Sequence, residues 1–287
     1  MENEHSMVVK TKKLEVTYPN QPLEPDQPLE PDKPLEIEYF IRLGRHETIL
    51  YLHGLGCSKN DFLSATTTGD LQAYTLVAFD FPGCGNSPYP ENIPLGIDDL
   101  VEITNSIVSK LSLDDLVVIG HSMGGLVALL YIQRYGEHIK GFVNVEGNLA
   151  PEDGIFSREI TKHPFAEFLK TTFSDLKEEF SRSDNRGFQK YVDTLEKCSS
   201  PKAFYDYCPS LVDYSDNGNV LQRFIELRIP KIFIYGSENY WLPSIPQLQN
   251  KGCEVVEIAN SNHFPFYDNP RDYYKVITQF LHRINNA

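Results

Sequence analysis

The chain has 287 residues, of which 41% are hydrophobic, and this is enough to form an α/β core with an insertion. The net charge at pH 7 is −14 and lysine and arginine form no cluster, so nucleic acid and anionic lipid are disfavoured partners. An uncharged or cationic small molecule suits such a surface better.

The sequence carries no sign of export or of metal binding. No apolar stretch is long enough to span a bilayer, and the first residues lack the layout of a signal peptide, so we expect a cytoplasmic protein. The cysteines are an odd set without a C-x-x-C pair: Cys57, Cys84, Cys198, Cys208 and Cys253. This pattern argues against a disulfide framework and against a structural zinc site. It predicts that the cysteines are reduced, free thiols.

The N-terminal segment, residues 1–36, contains a proline-rich repeat. A predicted strand at 13–18 is followed by Gln-Pro-Leu-Glu-Pro-Asp at 21–26, which recurs at 27–32 and, shortened, at 33–36. Prolines at this density sustain neither a helix nor a central strand, so we predict an extended, solvated loop. A proline-rich docking site is the alternative.

Beyond this segment, short β-branched runs alternate with helical patterns. The predicted strands are 35–41, 48–52, 75–79, 116–119, 142–145, 232–235 and 255–258, and helices are predicted at 98–111, 125–135 and 270–281. Continuous apolar strands of this kind belong in a mostly parallel sheet that helices cover on both faces. The sequence therefore predicts an α/β fold whose core comprises residues 37–147 and 225–287.

The alternation stops over residues 148–224, where we predict an inserted helical lid. This stretch is rich in aromatic residues: Phe165, Phe168, Phe173, Phe180, Phe188, Tyr191, Phe204, Tyr205, Tyr207 and Tyr214. They could line an apolar pocket with Trp241 and Phe264, or they could fill the core of the lid itself.

A serine follows the predicted strand at 116–119. Residues 120–124 read Gly-His-Ser-Met-Gly, a G-x-S-x-G pattern placed between a strand and a helix. A turn this sharp requires glycine on both sides of the serine, because larger side chains would collide with neighbouring backbone. We therefore interpret Ser122 as a nucleophile.

Other chemistry is expected at loops that follow the carboxyl ends of strands. His53-Gly54-Leu55-Gly56 follows the strand at 48–52, and the N–H groups of Leu55 and Met123 could together form an oxyanion hole. The alternative is a glycine turn with a satisfied core histidine at His53. Asp80, after the next strand, is interpreted as structural.

A serine hydroxyl needs a base, and the base is usually a histidine that a carboxylate orients. Of the eight histidines, His263 is the best candidate, because it lies between the last predicted strand and the last predicted helix. From there it can reach across the end of the sheet.

These motifs together resemble those of the α/β-hydrolase superfamily. The resemblance rests on residues 53–56, 80–87, 120–124, 235–237 and 262–265, and it extends over roughly residues 37–287. It implies a triad of nucleophile, acid and histidine, with Ser122 and His263 as two of its members. Acyl transfer by such a triad needs no cofactor, and the sequence lacks nucleotide-binding motifs and metal spacings such as H-E-x-x-H, so we expect neither a cofactor nor a metal.

The acid of the triad departs from the family pattern. Most relatives carry an aspartate three residues after the glycine that ends the seventh strand, where this chain has Asn239. Glu238 and Glu146 are the two candidates. We favour Glu146, because a glutamate buried at a strand end needs a partner, and because some family members use a glutamate at similar spacing.

Three functional classes follow from the resemblance and its departure. The first is a carboxylic ester hydrolase that works through an acyl-enzyme. The second hydrolyses a carbon–carbon bond of a dicarbonyl substrate with the same residues. The third is a weakly catalytic ligand receptor, an alternative that remains because Asn239 replaces the usual aspartate of the triad. Each takes a small-molecule substrate or ligand.

Overall fold

The computed structural model describes residues 9–17, 34–90 and 93–286. Most of the proline-rich repeat lies outside these residues, so the extended loop remains a prediction.

Within the described residues, eight strands form one sheet. They are β1 (Lys10–Thr17), β2 (Pro34–Arg42), β3 (His46–Leu52), β4 (Tyr74–Phe79), β5 (Leu116–His121), β6 (Ile139–Val145), β7 (Lys231–Gly236) and β8 (Glu254–Ile258). Their order across the sheet is β1-β2-β4-β3-β5-β6-β7-β8. The pairs β1–β2 and β2–β4 are antiparallel and the other five pairs of described strands are parallel, so the mostly parallel sheet predicted from the sequence is confirmed.

Helices cover both faces of this sheet. In chain order they are α1 (Ile97–Lys110), α2 (Met123–Tyr135), α3 (Ile155–Thr161), α4 (Phe165–Lys170), α5 (Thr172–Ser181), α6 (Arg186–Cys198), α7 (Pro201–Asn217), α8 (Val220–Glu226), α9 (Ser244–Asn250), α10 (Pro265–Asp268) and α11 (Pro270–Asn285). On β6, Phe142 packs against Phe224 of α8, whereas the adjacent Gly141 faces Phe280 of α11. Since adjacent strand residues point to opposite faces, α8 and α11 lie on opposite sides of the sheet.

Six helices, α3 to α8, lie between β6 and β7, where the sequence predicts an insertion. We call them the helical insertion. They leave the core directly after the strand end that carries Glu146, and they return to it at β7.

A buried ion network holds the turns that follow β3 and β4. Lys59 Nζ lies 2.6 Å from Glu38 Oε1 and 2.7 Å from Asp80 Oδ2, and the Lys59 and Asp80 side chains are 2% and 0% exposed. Asn86 donates its amide to Glu38 and its backbone N–H to Asp80. Both carboxylates are thereby compensated, which a charge in the protein interior requires.

Breaking this network by Lys59→Met should destabilise the protein by about 3–5 kcal/mol, because Asp80 and Glu38 would remain buried without their cation. Urea unfolding followed by circular dichroism measures the free energy of unfolding. Lys13→Met is the matched control, since Lys13 pairs with Glu36 at the surface, where both side chains are about half exposed. Equal stability of the two variants would contradict this account of the network.

Candidate active site

Ser122 lies at a sharp turn between β5 and α2. Its backbone has φ 52° and ψ −125°, a conformation that side-chain-bearing residues rarely adopt. A Cβ at Gly120 would lie 2.3 Å from the Gly124 carbonyl oxygen, and a Cβ at Gly124 would lie 2.3 Å from that of Leu52. Both glycines are therefore required, and the turn presents Ser122 to a cavity at the end of the sheet.

His263 lines the same cavity and contacts Glu146. Its Nδ1 lies 2.7 Å from Glu146 Oε2, and the two side chains are 32% and 3% exposed. A carboxylate only accepts, so Nδ1 carries the proton, and Nε2 of the neutral ring is left as an acceptor. Nε2 is the nitrogen that could take a proton from Ser122.

Glu146 receives further hydrogen bonds from β7 and the turn after it. The Gly236 N–H donates to Oε1 at 2.7 Å, and the Asn239 side-chain amide approaches Oε1 at 3.0 Å and Oε2 at 2.8 Å. The backbone of Glu146 has φ 47°, in the left-handed region. This bend turns the side chain from the end of β6 toward His263.

The structure thus brings Glu146, and not Glu238, against His263. Glu238 is exposed, and its Oε2 accepts a hydrogen bond from the Asn262 side chain at 2.8 Å. Of the two carboxylates that the sequence leaves open, only Glu146 has the geometry of a triad acid.

Asn239 is a residue whose contribution sequence reasoning missed. From the sequence alone Asn239 is a departure from the family pattern, whereas in the structure its amide donates to both oxygens of Glu146. Its amide also lies 3.2 Å from Asn262 Oδ1, and this oxygen accepts the backbone N–H of His263 at 2.7 Å. The available signal was its position three residues after Gly236, because the family's acid occupies this position and a side chain there lies next to the catalytic histidine.

The predicted oxyanion donors Leu55 and Met123 lie at two different element ends. Met123 is the first residue of α2, so its N–H has no intrahelical partner. The Gly54 carbonyl accepts hydrogen bonds from His53 Nδ1 at 2.8 Å and from the Cys57 N–H at 3.2 Å. In a planar trans peptide the N–H points away from the carbonyl, so these bonds also fix the direction of the Leu55 N–H.

His53 is a fully buried histidine with both ring nitrogens bonded. Nε2 accepts the Phe81 N–H at 2.9 Å, and Nδ1 donates to the Gly54 carbonyl. Burial lowers the pKa of His53 to about 4, so the ring is neutral near pH 7 and keeps this arrangement. His53 is thus a satisfied core histidine that also orients the loop carrying Leu55.

His121, next to the serine, supports His263. Its Nε2 lies 2.9 Å from the His263 carbonyl oxygen, and the two rings are 4.8 Å apart. Burial holds the pKa of His121 well below its usual range. The ring therefore remains neutral and holds the His263 backbone in place.

The cavity has a volume of about 540 Å³. Beside the residues already described, its walls are largely apolar: Ile155, Phe156, Phe180, Phe188, Tyr191, Leu211, Trp241, Leu242 and Phe264. A different set of aromatic side chains packs within the insertion: Phe165, Phe168, Phe173, Phe204 and Tyr205. Some aromatic residues of the insertion thus line the cavity and others fill the core of the insertion, which are the two roles that the sequence left open.

The charged residues on the cavity wall are acidic. Glu152, Asp153 and Glu159 line it together with Glu146, and the described part of the chain contributes no lysine or arginine to the wall. Burial raises the pKa of Asp153 to about 6, and the nearby Glu146 carboxylate adds to this effect. Glu159 pairs with Lys162, which does not line the cavity itself, so an anionic group there would meet mainly carboxylates.

Two features are absent from the described residues. These residues contain no group of three or more histidine, cysteine, aspartate or glutamate side chains placed to hold a metal ion. Nor do they include a helix with the length and apolar character needed to cross a bilayer.

A family model described as "alpha/beta hydrolase fold" matches residues 47–241, more than half of the chain. The chain belongs to the alpha/beta hydrolase family.

The names of the relatives of this alpha/beta hydrolase refer to enzymes that cleave different bonds, esters in one case and peptides in another. A Mycoplasma pneumoniae protein named "Putative esterase/lipase 1" is 24% identical over 265 residues, which cover 85% of this chain and 94% of the relative. A proline iminopeptidase of Saccharolobus solfataricus is 22% identical over 273 residues, with coverages of 84% and 86%. A solved structure from work on carboxylesterases of Nitrososphaera gargenis has a TM-score of 0.75 at 16% identity, covering 90% of this chain and 98% of that one. At this identity the structural likeness shows the fold alone.

The two candidate acids of this hydrolase can be separated by isosteric substitution. Glu146→Gln should lower kcat by about 10³-fold or more, because a neutral amide neither stabilises the imidazolium of His263 nor fixes its tautomer. Glu238→Gln is the matched control and should leave kcat within about twofold, since among the described residues the Glu238 carboxylate accepts a hydrogen bond from the Asn262 side chain and has no contact with His263. Steady-state ester hydrolysis measures both. A larger loss of kcat in Glu238→Gln than in Glu146→Gln would assign the role of the triad acid to Glu238.

Proposed function

We propose that the protein hydrolyses carboxylic esters of small, uncharged or cationic substrates through an acyl-enzyme at Ser122. The observation that carries this proposal is the 2.7 Å contact between His263 and the buried Glu146, beside the cavity that Ser122 lines. A serine at a strained turn, a histidine and a buried carboxylate in this arrangement form an activated nucleophile.

The reaction proceeds in two halves. His263 Nε2 takes the Ser122 hydroxyl proton while Oγ attacks the carbonyl carbon, and the N–H groups of Leu55 and Met123 stabilise the oxyanion. His263 then gives the proton to the leaving alcohol, which departs as the acyl-enzyme forms. Water, deprotonated by the same nitrogen, attacks the acyl carbon; the bond to Oγ then breaks, His263 returns the proton to Oγ, and the acid leaves. Glu146 remains a carboxylate throughout and stabilises the imidazolium.

The cavity walls support an apolar substrate. A volume of about 540 Å³ is ample for a small molecule, and the aromatic walls favour a medium-length acyl chain or an aromatic ester. Glu152, Asp153 and Glu159 disfavour an acidic substrate, because its charge would be repelled in a partly desolvated site.

We assign the role of a lid to residues 148–224, inserted between the core segments 37–147 and 225–287. Phe156, Phe180, Phe188, Tyr191 and Leu211 of this stretch form cavity walls close to Ser122 and His263, which supports the assignment. A cover of this kind keeps bulk water from the acyl-enzyme until the alcohol has left.

The other two classes have less support. The case for a receptor rests on the missing aspartate at 239, and the contact of Glu146 with His263 weakens it, because Glu146 offers a carboxylate in place of that aspartate. One relative is named a proline iminopeptidase, and the carbon–carbon alternative would use Ser122 and His263 on another bond. Amide and diketone substrates therefore belong in the same assay panel as esters.

The nucleophile is tested by labelling with a fluorophosphonate probe, with the labelled peptide identified by mass. We expect rapid labelling at Ser122 and no labelling in Ser122→Ala, which lacks the nucleophile. Labelling should be slower in Glu146→Gln, because the base His263 loses the carboxylate that orients it. Ser157→Ala is the matched control, since Ser157 also lines the cavity but has no histidine partner among the described contacts. Folded wild-type protein that is not labelled would favour the receptor.

The substrate class is tested with p-nitrophenyl esters of increasing acyl length. We expect kcat/KM to rise by up to about fourfold per added methylene from two to six carbons, because each one buries apolar area. An ester whose acyl chain ends in a carboxylate should be a poorer substrate than a neutral ester of equal length. Trp241, the only tryptophan, lines the cavity, so its fluorescence reports binding independently of turnover. A flat profile among the neutral esters would contradict the apolar pocket.

A further inference from the structure

Helix α6 of the insertion reaches the loop that carries Leu55. The Tyr191 hydroxyl donates to the Leu55 carbonyl at 3.0 Å, and the hydroxyl of Ser199, just after the helix, donates to the Gly56 carbonyl at 2.9 Å. Two successive carbonyls of the loop from the core are therefore bound by hydroxyls of the insertion.

The beginning of α6 is attached to the loop that carries His263. The Gly187 N–H donates to Asp268 Oδ1 at 2.8 Å, and the Asn185 side chain donates to Oδ2 at 3.0 Å. The same Oδ2 accepts the Asn262 N–H at 2.9 Å, one residue before His263. Helix α6 thus spans from the histidine loop to the proposed oxyanion loop.

Tyr191 is built into this position. Its side chain is buried, and burial raises its pKa well above the usual range, so the hydroxyl remains a donor. Its ring lies 5.2 Å from that of Phe264 and 5.6 Å from that of Phe180. Because these contacts fix the ring, the hydroxyl has one orientation relative to the Leu55 carbonyl.

We propose that Tyr191 is a positioning residue of the oxyanion hole, so that the insertion takes part in catalysis and does not only cover the site. His53 and the Cys57 N–H hold the carbonyl before Leu55, and Tyr191 holds the carbonyl of Leu55 itself. The peptide groups on both sides of this residue are then fixed, and its N–H keeps one direction. This inference rests on the function proposed above.

The test compares two inhibitors in Tyr191→Phe, which keeps the ring. A trifluoromethyl ketone accepts Ser122 Oγ at its carbonyl carbon, the hydroxyl proton passes to His263, and the ketone oxygen becomes the oxyanion. The corresponding trifluoromethyl alcohol has the same shape and forms no oxyanion. Tyr205→Phe is the matched control, because its hydroxyl donates to the His163 carbonyl within the insertion.

We expect Tyr191→Phe to weaken ketone binding about tenfold and to lower kcat about tenfold, less than the loss of a whole oxyanion donor, while KM and alcohol binding change less than twofold. The acid limb of the pH profile should not move, since the contact of His263 with Glu146 is untouched. Ser199→Ala should shift ketone binding in the same direction by a smaller factor. Tyr205→Phe should behave as wild type.

Two results would overturn this proposal. One is an equal loss of ketone and alcohol binding in Tyr191→Phe, which would make Tyr191 a wall of the substrate pocket only. The other is no change in either inhibitor. Failure of the proposed function is distinguishable, because wild-type protein would then form no ketone adduct and would not react with the fluorophosphonate.

Discussion

A carboxylate that is 3% exposed needs donors to keep its charge, and at Glu146 this requirement organises the whole site. Its donors are the Gly236 N–H, the Asn239 amide and the His263 ring. They come from the end of β7, from the turn after it and from the loop before α10. One desolvated group therefore fixes three segments that are distant in sequence, and the histidine is oriented as a result.

The remaining part of the site depends on the sheet and on the insertion together. Parallel strands β3, β5 and β6 end at the same edge, which brings Leu55, Ser122 and Glu146 close to one another. From the core, His53 holds the loop of Leu55, and from the insertion Tyr191 and Ser199 hold it as well. The site thus lies between the core and the insertion, and both of them restrict the backbone of the loop that carries Leu55.

Local patterns account for what could be predicted. The β-branched strands, the glycines around Ser122 and the Asn269-Pro270 start of the last helix are short-range signals, and each appears where it was expected. The acid remained open because the contact of residue 146 with residue 263 depends on how separate strands pair. Asn239 and Tyr191 were missed for the same reason, since a donor cannot be recognised before its acceptor is placed.

The amide at position 239 also constrains how this sequence can change. Aspartate there would place a second carboxylate in contact with Glu146, and the two groups would have to share a proton. Removing the charge at 146 while asparagine is retained would leave His263 without an acid. The residues at 146 and 239 are therefore epistatic: either single exchange is unfavourable, and a lineage can move the acid from one strand to the other only if both positions change together.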